Sequence, residues 1–211
     1  MTSPRNTRKM AQGAGPAAAP WRARDAHDAF PDGAFGDLLA FDGSLTARLD
    51  ALCGGRFELA LLAQGELAAE DVDTLMPYES PALLPALCRE VLMSAAGEPV
   101  VFARTLVPRS TLARQDWLAD LGGSSLGHAL FVREDVTRSA FEFACLGTGS
   151  PVHRRLTALV PAMGALRGPL WVRHSCFAID GAPVVVMESF LPAAHDLAAA
   201  RAGAVPGPAD D

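Results

Sequence analysis

Apolar positions along this chain fall into short stretches separated by turn residues, and their spacing predicts both helices and strands. Leu38, Leu39, Leu45 and Leu49 stand near helical spacing, so residues 35–52 read as a helix interrupted at Gly43 and Ser44. Residues 57–62 read as a strand. Residues 87–94 and 99–107 are two strand-like runs joined through Ala96-Gly97, a hairpin signal, and Pro108 closes the second. Ser110 can cap a helix over 111–121, which Gly122-Gly123 stops. Residues 139–146 and 154–160 are further strand candidates. The last two runs, 170–179 and 183–191, flank Asp180-Gly181, the strongest hairpin signal in the chain. Successive strands with short connections imply a mostly antiparallel sheet covered by helices, so the class is α+β.

Length and composition frame that reading. A chain of 211 residues suggests one domain. Residues 1–26 are rich in Ala, Gly and Pro and read as a disordered extension; without an apolar core they do not resemble a secretory signal. Residues 197–211 read as a flexible tail, which leaves 27–196 as the folded part. Half the residues are hydrophobic and 20% are charged, but no run approaches the ~18 apolar residues of a membrane span. A formal charge of -6 argues against nucleic-acid binding, which calls for a basic face. All 18 basic residues except Lys9 are arginine, so a single arginine carries little weight by itself. Cys53, Cys88, Cys145 and Cys176 are widely separated and show no metal-ligand spacing; free thiols fit a reducing cytoplasm. No metal site and no cofactor motif is expected.

Two polar residues stand out in apolar strands. In Val184-Val185-Val186-Met187-Glu188-Ser189-Phe190-Leu191 the carboxylate of Glu188 bears a desolvation cost unless it is paired or belongs to a site. Counting outward from a two-residue turn at Asp180-Gly181 puts Arg173 opposite it, so a cross-strand ion pair is one reading and a functional carboxylate the other. In Val100-Val101-Phe102-Ala103-Arg104-Thr105-Leu106-Val107, Arg104 is either an edge-strand side chain reaching solvent or a guanidinium kept for a carboxylate. The same counting from Ala96-Gly97 places Arg104 across from Arg89, a costly like-charge pair. The loop Gly122-Gly123-Ser124-Ser125-Leu126-Gly127 lacks the spacing of a phosphate cradle. The five histidines form no metal or hydrolase pattern.

Taken in order, several segments resemble the chorismate lyase family. They are Arg89-Glu90-Val91-Leu92, Gly97-Glu98-Pro99, Ala103 to Pro108, Ser110-Thr111-Leu112, Ser125-Leu126-Gly127 with Leu130-Phe131, Arg138 with Phe141-Glu142, and Val186 to Pro192. The resemblance covers roughly residues 35–192. It implies a single domain with an internal ligand pocket under helical flaps, no cofactor and no metal. The implied activity is elimination of pyruvate from chorismate to give 4-hydroxybenzoate, the first step toward ubiquinone, by a cytoplasmic monomer without nucleic-acid or membrane partners. By resemblance, Arg104 and Glu188 are the catalytic pair. Arg104, Leu126, Glu188 and, less closely matched, Leu45 bind substrate. Arg173, Arg154 or Arg155 is left to hold the enolpyruvyl carboxylate. The alternatives are a related enzyme with another product, such as 3-hydroxybenzoate, and a non-catalytic module for a small aromatic acid, since the sheet bears a distant likeness to regulator effector domains.

Overall fold

The structure, a computed structural model, describes residues 21–67, 83–131, 133–164 and 166–202. Its strands are β1 (Phe57–Leu67), β2 (Ala86–Ala95), β3 (Glu98–Pro108), β4 (Val136–Arg138), β5 (Glu142–Leu146), β6 (Leu170–Ile179) and β7 (Ala182–Phe190). They form one sheet in the order β1-β2-β3-β7-β6-β4, with β5 also pairing along β6, and every pairing is antiparallel. The helices are α1 (Gly33–Leu39), α2 (Leu45–Cys53), α3 (Arg109–Leu112), α4 (Leu126–Phe131), α5 (Pro151–Leu159) and α6 (Pro192–Ala202). The α+β class read from the sequence is the class observed.

Both faces of the sheet are covered, which is why β3 and β7 are apolar on both sides of their alternation. On one face α1, α2 and α6 bring Leu38, Leu39, Leu49 and Ala194 onto Val91, Met93, Ala103 and Phe190. On the other, α5 brings Val152 and Leu156 onto Phe102, Leu106, Val172 and Met187. A third cluster closes one end, where Leu118, Leu126 and Leu130 meet Phe177, Ile179 and Val184.

Several elements differ from expectation, each for a local reason. The helix expected over 35–52 is two helices, because Ser44 caps α2 by accepting from the Ala47 amide at 3.3 Å. The helix expected over 111–121 shrinks to α3 and a separate 3-10 turn, Asp116–Ala119. Residues 154–160, expected as a strand, lie mostly in α5: Ser150 caps it, Pro151 occupies its first turn, and Val152 and Leu156 give it a buried face. The folded part is also wider than 27–196. Arg22 and Phe143 exchange two backbone hydrogen bonds, and α6 continues to Ala202 with Ala194 and Ala198 buried. Alanines at helical spacing hid that face in an Ala-rich tail. Residues 1–20 and 203–211 of the expected extensions lie outside the described residues. The four cysteines are free, Cys53 buried and Cys145 exposed.

Both hairpin turns fall where the sequence places them. Ala96 and Gly97 have φ of 52° and 86°, and Asp180 and Gly181 have 49° and 74°, the left-handed pair that a two-residue turn between twisted strands requires. From Asp180-Gly181 the register runs outward without a break to Arg173 opposite Glu188. From Ala96-Gly97 it does not. Ser94 pairs with Pro99, but Met93 pairs with Val101, so Val100 is an extra residue in β3. Arg104 therefore faces Glu90, and Arg89 faces Thr105.

Candidate active site

The shift at Val100 puts Arg89 on the face of Glu188, and the pairing of β3 with β7 keeps Arg104 off it. Side chains alternate across a strand, so moving the pairing by one residue exchanges the two faces. Glu188 stands opposite both Ala103 and Arg173, and Arg89 stands opposite Thr105, two residues further along the Ala103 face. Arg89, Arg173 and Glu188 thus share one face of the sheet. Arg104 pairs in register with Glu90 and Met187, on the other face.

On the shared face these residues line a cavity with about 50 Å³ of free volume, enough for a few waters. Its floor includes Val91, Ala103, Thr105, Ser175 and Val186. Its cover is Leu45 and Thr46 of α2 with Leu126, Gly127 and Leu130 of α4, and Phe141 and Phe177 wall one side. The two covering helices are linked by a 2.8 Å hydrogen bond between the hydroxyls of Thr46 and Ser125.

Arg89 is the least compensated charge in the cavity. It is buried at 3% exposure, and its Nη2 donates to the carbonyls of Gly122 at 2.7 Å and Ser124 at 2.8 Å. Its Nε is buried without an acceptor, and among the described residues no carboxylate pairs with it. Burial pushes the guanidinium pKa down from its ordinary value. A cation out of water without a counter-charge costs several kcal/mol, a cost that an anionic ligand offsets.

Glu188 has a partner. Arg173 Nε donates to Glu188 Oε2 at 2.6 Å, while Arg173 Nη1 donates to the carbonyls of Leu39 at 2.9 Å and Phe41 at 2.6 Å. The chain between α1 and α2 thereby fixes the guanidinium, and the guanidinium fixes the carboxylate. Among the described residues no donor reaches Glu188 Oε1. The cross-strand pair read from the sequence is formed, and the same Glu188 lines the cavity. Arg138, which sequence reasoning did not single out as a site residue, also lines the cavity and donates to the Asp42 carbonyl.

Leu45 and Leu126 lie where the resemblance implied, over the cavity. Arg104 and Arg155 do not. Arg155 holds both oxygens of Glu90 from Nε at 2.9 and 3.1 Å and from Nη2 at 2.5 Å, and Arg104 Nη1 lies 3.6 Å from the same carboxylate. That cluster belongs to the far face, and Arg154 is tied to the Gly149 carbonyl away from the cavity. Two pairings place the arginines: the unpaired Val100 turns Arg89 to the face of Glu188, and the register of β3 with β7 puts Arg104 opposite Met187 on the other. A signal for Arg89 was present in the sequence, as Arg89-Glu90 is a charged pair inside an apolar run. Nothing in the sequence marked the bulge. Among the described residues no group of His, Cys, Asp and Glu is placed to hold a metal, and no helix is long and apolar enough to cross a membrane.

Known proteins resemble this chain over most of its length. A family model described as chorismate lyase matches residues 16–199. A probable chorismate pyruvate-lyase of Shewanella amazonensis is 40% identical over 178 residues, covering 83% of this chain and 89% of that protein. A probable chorismate pyruvate-lyase of Dechloromonas aromatica is 37% identical over 177 residues, covering 82% and 94%. Among solved structures, the effector domain of PhnF from Mycobacterium smegmatis is similar at 19% identity with a TM-score of 0.48, covering 77% of this chain and 92% of that one.

Proposed function

The chain belongs to the chorismate lyase family and is a lyase acting on chorismate, and from that premise we propose that its product is 4-hydroxybenzoate, formed in the cavity between Arg89 and Glu188. The observation that carries this reading is Arg89, a buried cation without a carboxylate partner among the described residues, on the same face as a carboxylate with one open oxygen. Three guanidinium groups and one carboxylate line the cavity among the described residues. Chorismate is a dianion with a hydroxyl group at C4, and it complements that set.

In this reading Arg89 receives the ring carboxylate through charge-assisted contacts from the donors that Gly122 and Ser124 leave open, Nε among them. The backbones of Arg89 and Glu188 are separated by two strand spacings and one two-residue step, roughly 12 Å, which leaves room between the side chains for one ring. Glu188 then faces the C4 end, held there by Arg173. Its open Oε1 takes the C4 proton as the C3–O ether bond breaks. The C–H electron pair becomes a ring double bond, the ether pair leaves with enolpyruvate, and a proton added to the terminal carbon of that fragment gives pyruvate. Nothing else is consumed. Aromatisation supplies the driving force, so orientation and exclusion of water are the protein's main contributions. The cavity is assembled within one chain, consistent with action as a monomer. Four free cysteines suit the reducing cytoplasm, where 4-hydroxybenzoate feeds ubiquinone formation.

The test is to incubate the purified chain with chorismate, follow pyruvate through lactate dehydrogenase, and identify the aromatic product by chromatography. Equal amounts of pyruvate and 4-hydroxybenzoate are expected. Recovery of 3-hydroxybenzoate, or binding of 4-hydroxybenzoate with no pyruvate released, overturns the proposal.

A further inference from the structure

Arg89 and Glu188 account for the ring carboxylate and the C4 hydroxyl, but chorismate has a second carboxylate, on the enolpyruvyl arm at C3. Position C3 adjoins C4, so the group that binds this carboxylate must lie at the Glu188 end of the cavity and not beside Arg89. Arg138 meets that requirement. It stands on β4 opposite Phe177 and lines the cavity. Its guanidinium carbon lies 4.4 Å from the centre of the Phe141 ring, and that of Arg173, the partner of Glu188, lies 4.2 Å from the same ring. Two cations therefore share one aromatic ring at the carboxylate end. The guanidinium pKa of Arg138 is pushed down by burial and then by the charge of Arg173, with Glu188 and Asp42 acting the other way. An anion beside Arg138 relieves both effects.

The space for the arm is present too. A second chamber of about 490 Å³ opens beyond the cavity and shares Leu130, Arg138, Phe141 and Phe177 with it. These four residues form the partition between a smaller inner cavity and a roomier, more open outer one. The outer chamber is also edged by Arg133, whose guanidinium is held by Asp135 through two contacts of 2.9 and 2.6 Å.

We propose that the outer chamber is a separate subsite for the enolpyruvyl carboxylate and for the pyruvate it becomes, with Arg138 at the partition as its binding cation. The assignment rests on the lyase reading above. It divides the site into an inner compartment for the aromatic acid and an outer one for a small 2-oxo acid, so the two products occupy different places and leave separately.

The discriminating ligand is 4-hydroxybenzoate, which keeps the ring carboxylate and hydroxyl but lacks the arm. In Arg138→Met, kcat/KM for chorismate should fall on the order of tenfold or more, as for loss of a charge-assisted hydrogen bond. The Kd for 4-hydroxybenzoate should stay within about twofold, since no contact to it is removed. Arg138→Lys, which keeps the charge, should recover part of the loss. A merely structural role for Arg138 moves both ligands together, and that outcome, or no change in either, sinks the proposal. The unaltered protein supplies an independent check. Pyruvate should compete with chorismate yet bind together with 4-hydroxybenzoate, and mutual exclusion of the two products overturns the division into subsites. If the unaltered protein releases no pyruvate from chorismate, it is the lyase reading that fails.

Discussion

Replacing Arg89 with methionine separates function from stability in a way that depends on the geometry of this one side chain. Methionine fills much of the aliphatic volume but removes the charge. Two hydrogen bonds to the carbonyls of Gly122 and Ser124 are lost, and those loop residues are half-buried and exposed, so water can take over the acceptors. Against this loss stands the relief of a buried, uncompensated cation. Charge-assisted bonds contribute roughly 1.5–3 kcal/mol each, and desolvation of an unpaired ion costs several kcal/mol, so the two effects nearly cancel. The net change in stability should be within about 1 kcal/mol, a Tm shift of about 2–4 °C for a chain of this size. Ligand binding has no such offset. Loss of the charge-assisted contacts to a carboxylate should cost about 3–5 kcal/mol, or about two to nearly four orders of magnitude in the Kd for 4-hydroxybenzoate and in kcat/KM for chorismate. Differential scanning fluorimetry, calorimetric titration with 4-hydroxybenzoate and coupled pyruvate release measure the three quantities. A folded Arg89→Met protein that binds 4-hydroxybenzoate within about threefold of the parent refutes the assignment. A Tm fall beyond about 10 °C, near 3 kcal/mol or more, shows instead that the charge is structural.

Arg104→Met should do the reverse. Glu90 keeps its three contacts to Arg155, so stability drops by only about 1–2 kcal/mol, while kcat/KM stays within about twofold; a large loss of turnover with intact fold would return Arg104 to the site. Glu188→Gln leaves the buried Arg173 charge without its counter-charge, and about 3 kcal/mol should be lost in urea denaturation together with most pyruvate release. An unchanged urea midpoint would show that the carbonyls of Leu39 and Phe41 alone satisfy Arg173. Burial brings the His174 pKa down from 6.5 to about 4, with Glu142 opposing the shift. The unfolded chain therefore binds the extra proton between those values, so the stability linked to His174 is whole above about pH 6.5 and is lost as pH falls toward 4. Urea midpoints at pH 7 and pH 5 should differ in the parent and converge in His174→Gln; equal slopes in both proteins would exclude the imidazole as the source.

The sheet was legible because its strands are covered on both faces and bounded by turn chemistry. Asp180-Gly181 located a hairpin, and simple counting then placed Arg173 against Glu188, where the structure has it. The same counting failed in the other hairpin although its turn was correctly located. A bulge is a backbone event, and Val100 is chemically no different from Val101 beside it. Short helices were also poorly legible. Arg154 to Leu159 carries apolar residues at a spacing that suits either state, and the cap that decides it, Ser150, lies outside that run. In α6 the apolar face is made of alanine, whose small side chain gives almost no periodic contrast. Leu45 and Leu126 are apolar residues among many, and only family resemblance drew attention to them. Arg138 became a candidate only once β4 brought it over Phe177.

The extra residue in β3 gives chain length between two landmarks a chemical meaning. Between the Ala96-Gly97 turn and Arg89 lies an uninterrupted run of β2, whereas the partner strand is one residue longer over the same span. Were Val100 paired with Met93 instead of left over, Arg89 would stand in register with Arg104 on the far face, two cations abreast, and Glu90 would turn toward the cavity. A one-residue shift of register in this hairpin is thus equivalent to several substitutions at once. For any relative of this chain, the pairing of each arginine across the hairpin, rather than its distance in sequence from the turn, is the quantity to examine when deciding which guanidinium greets the substrate.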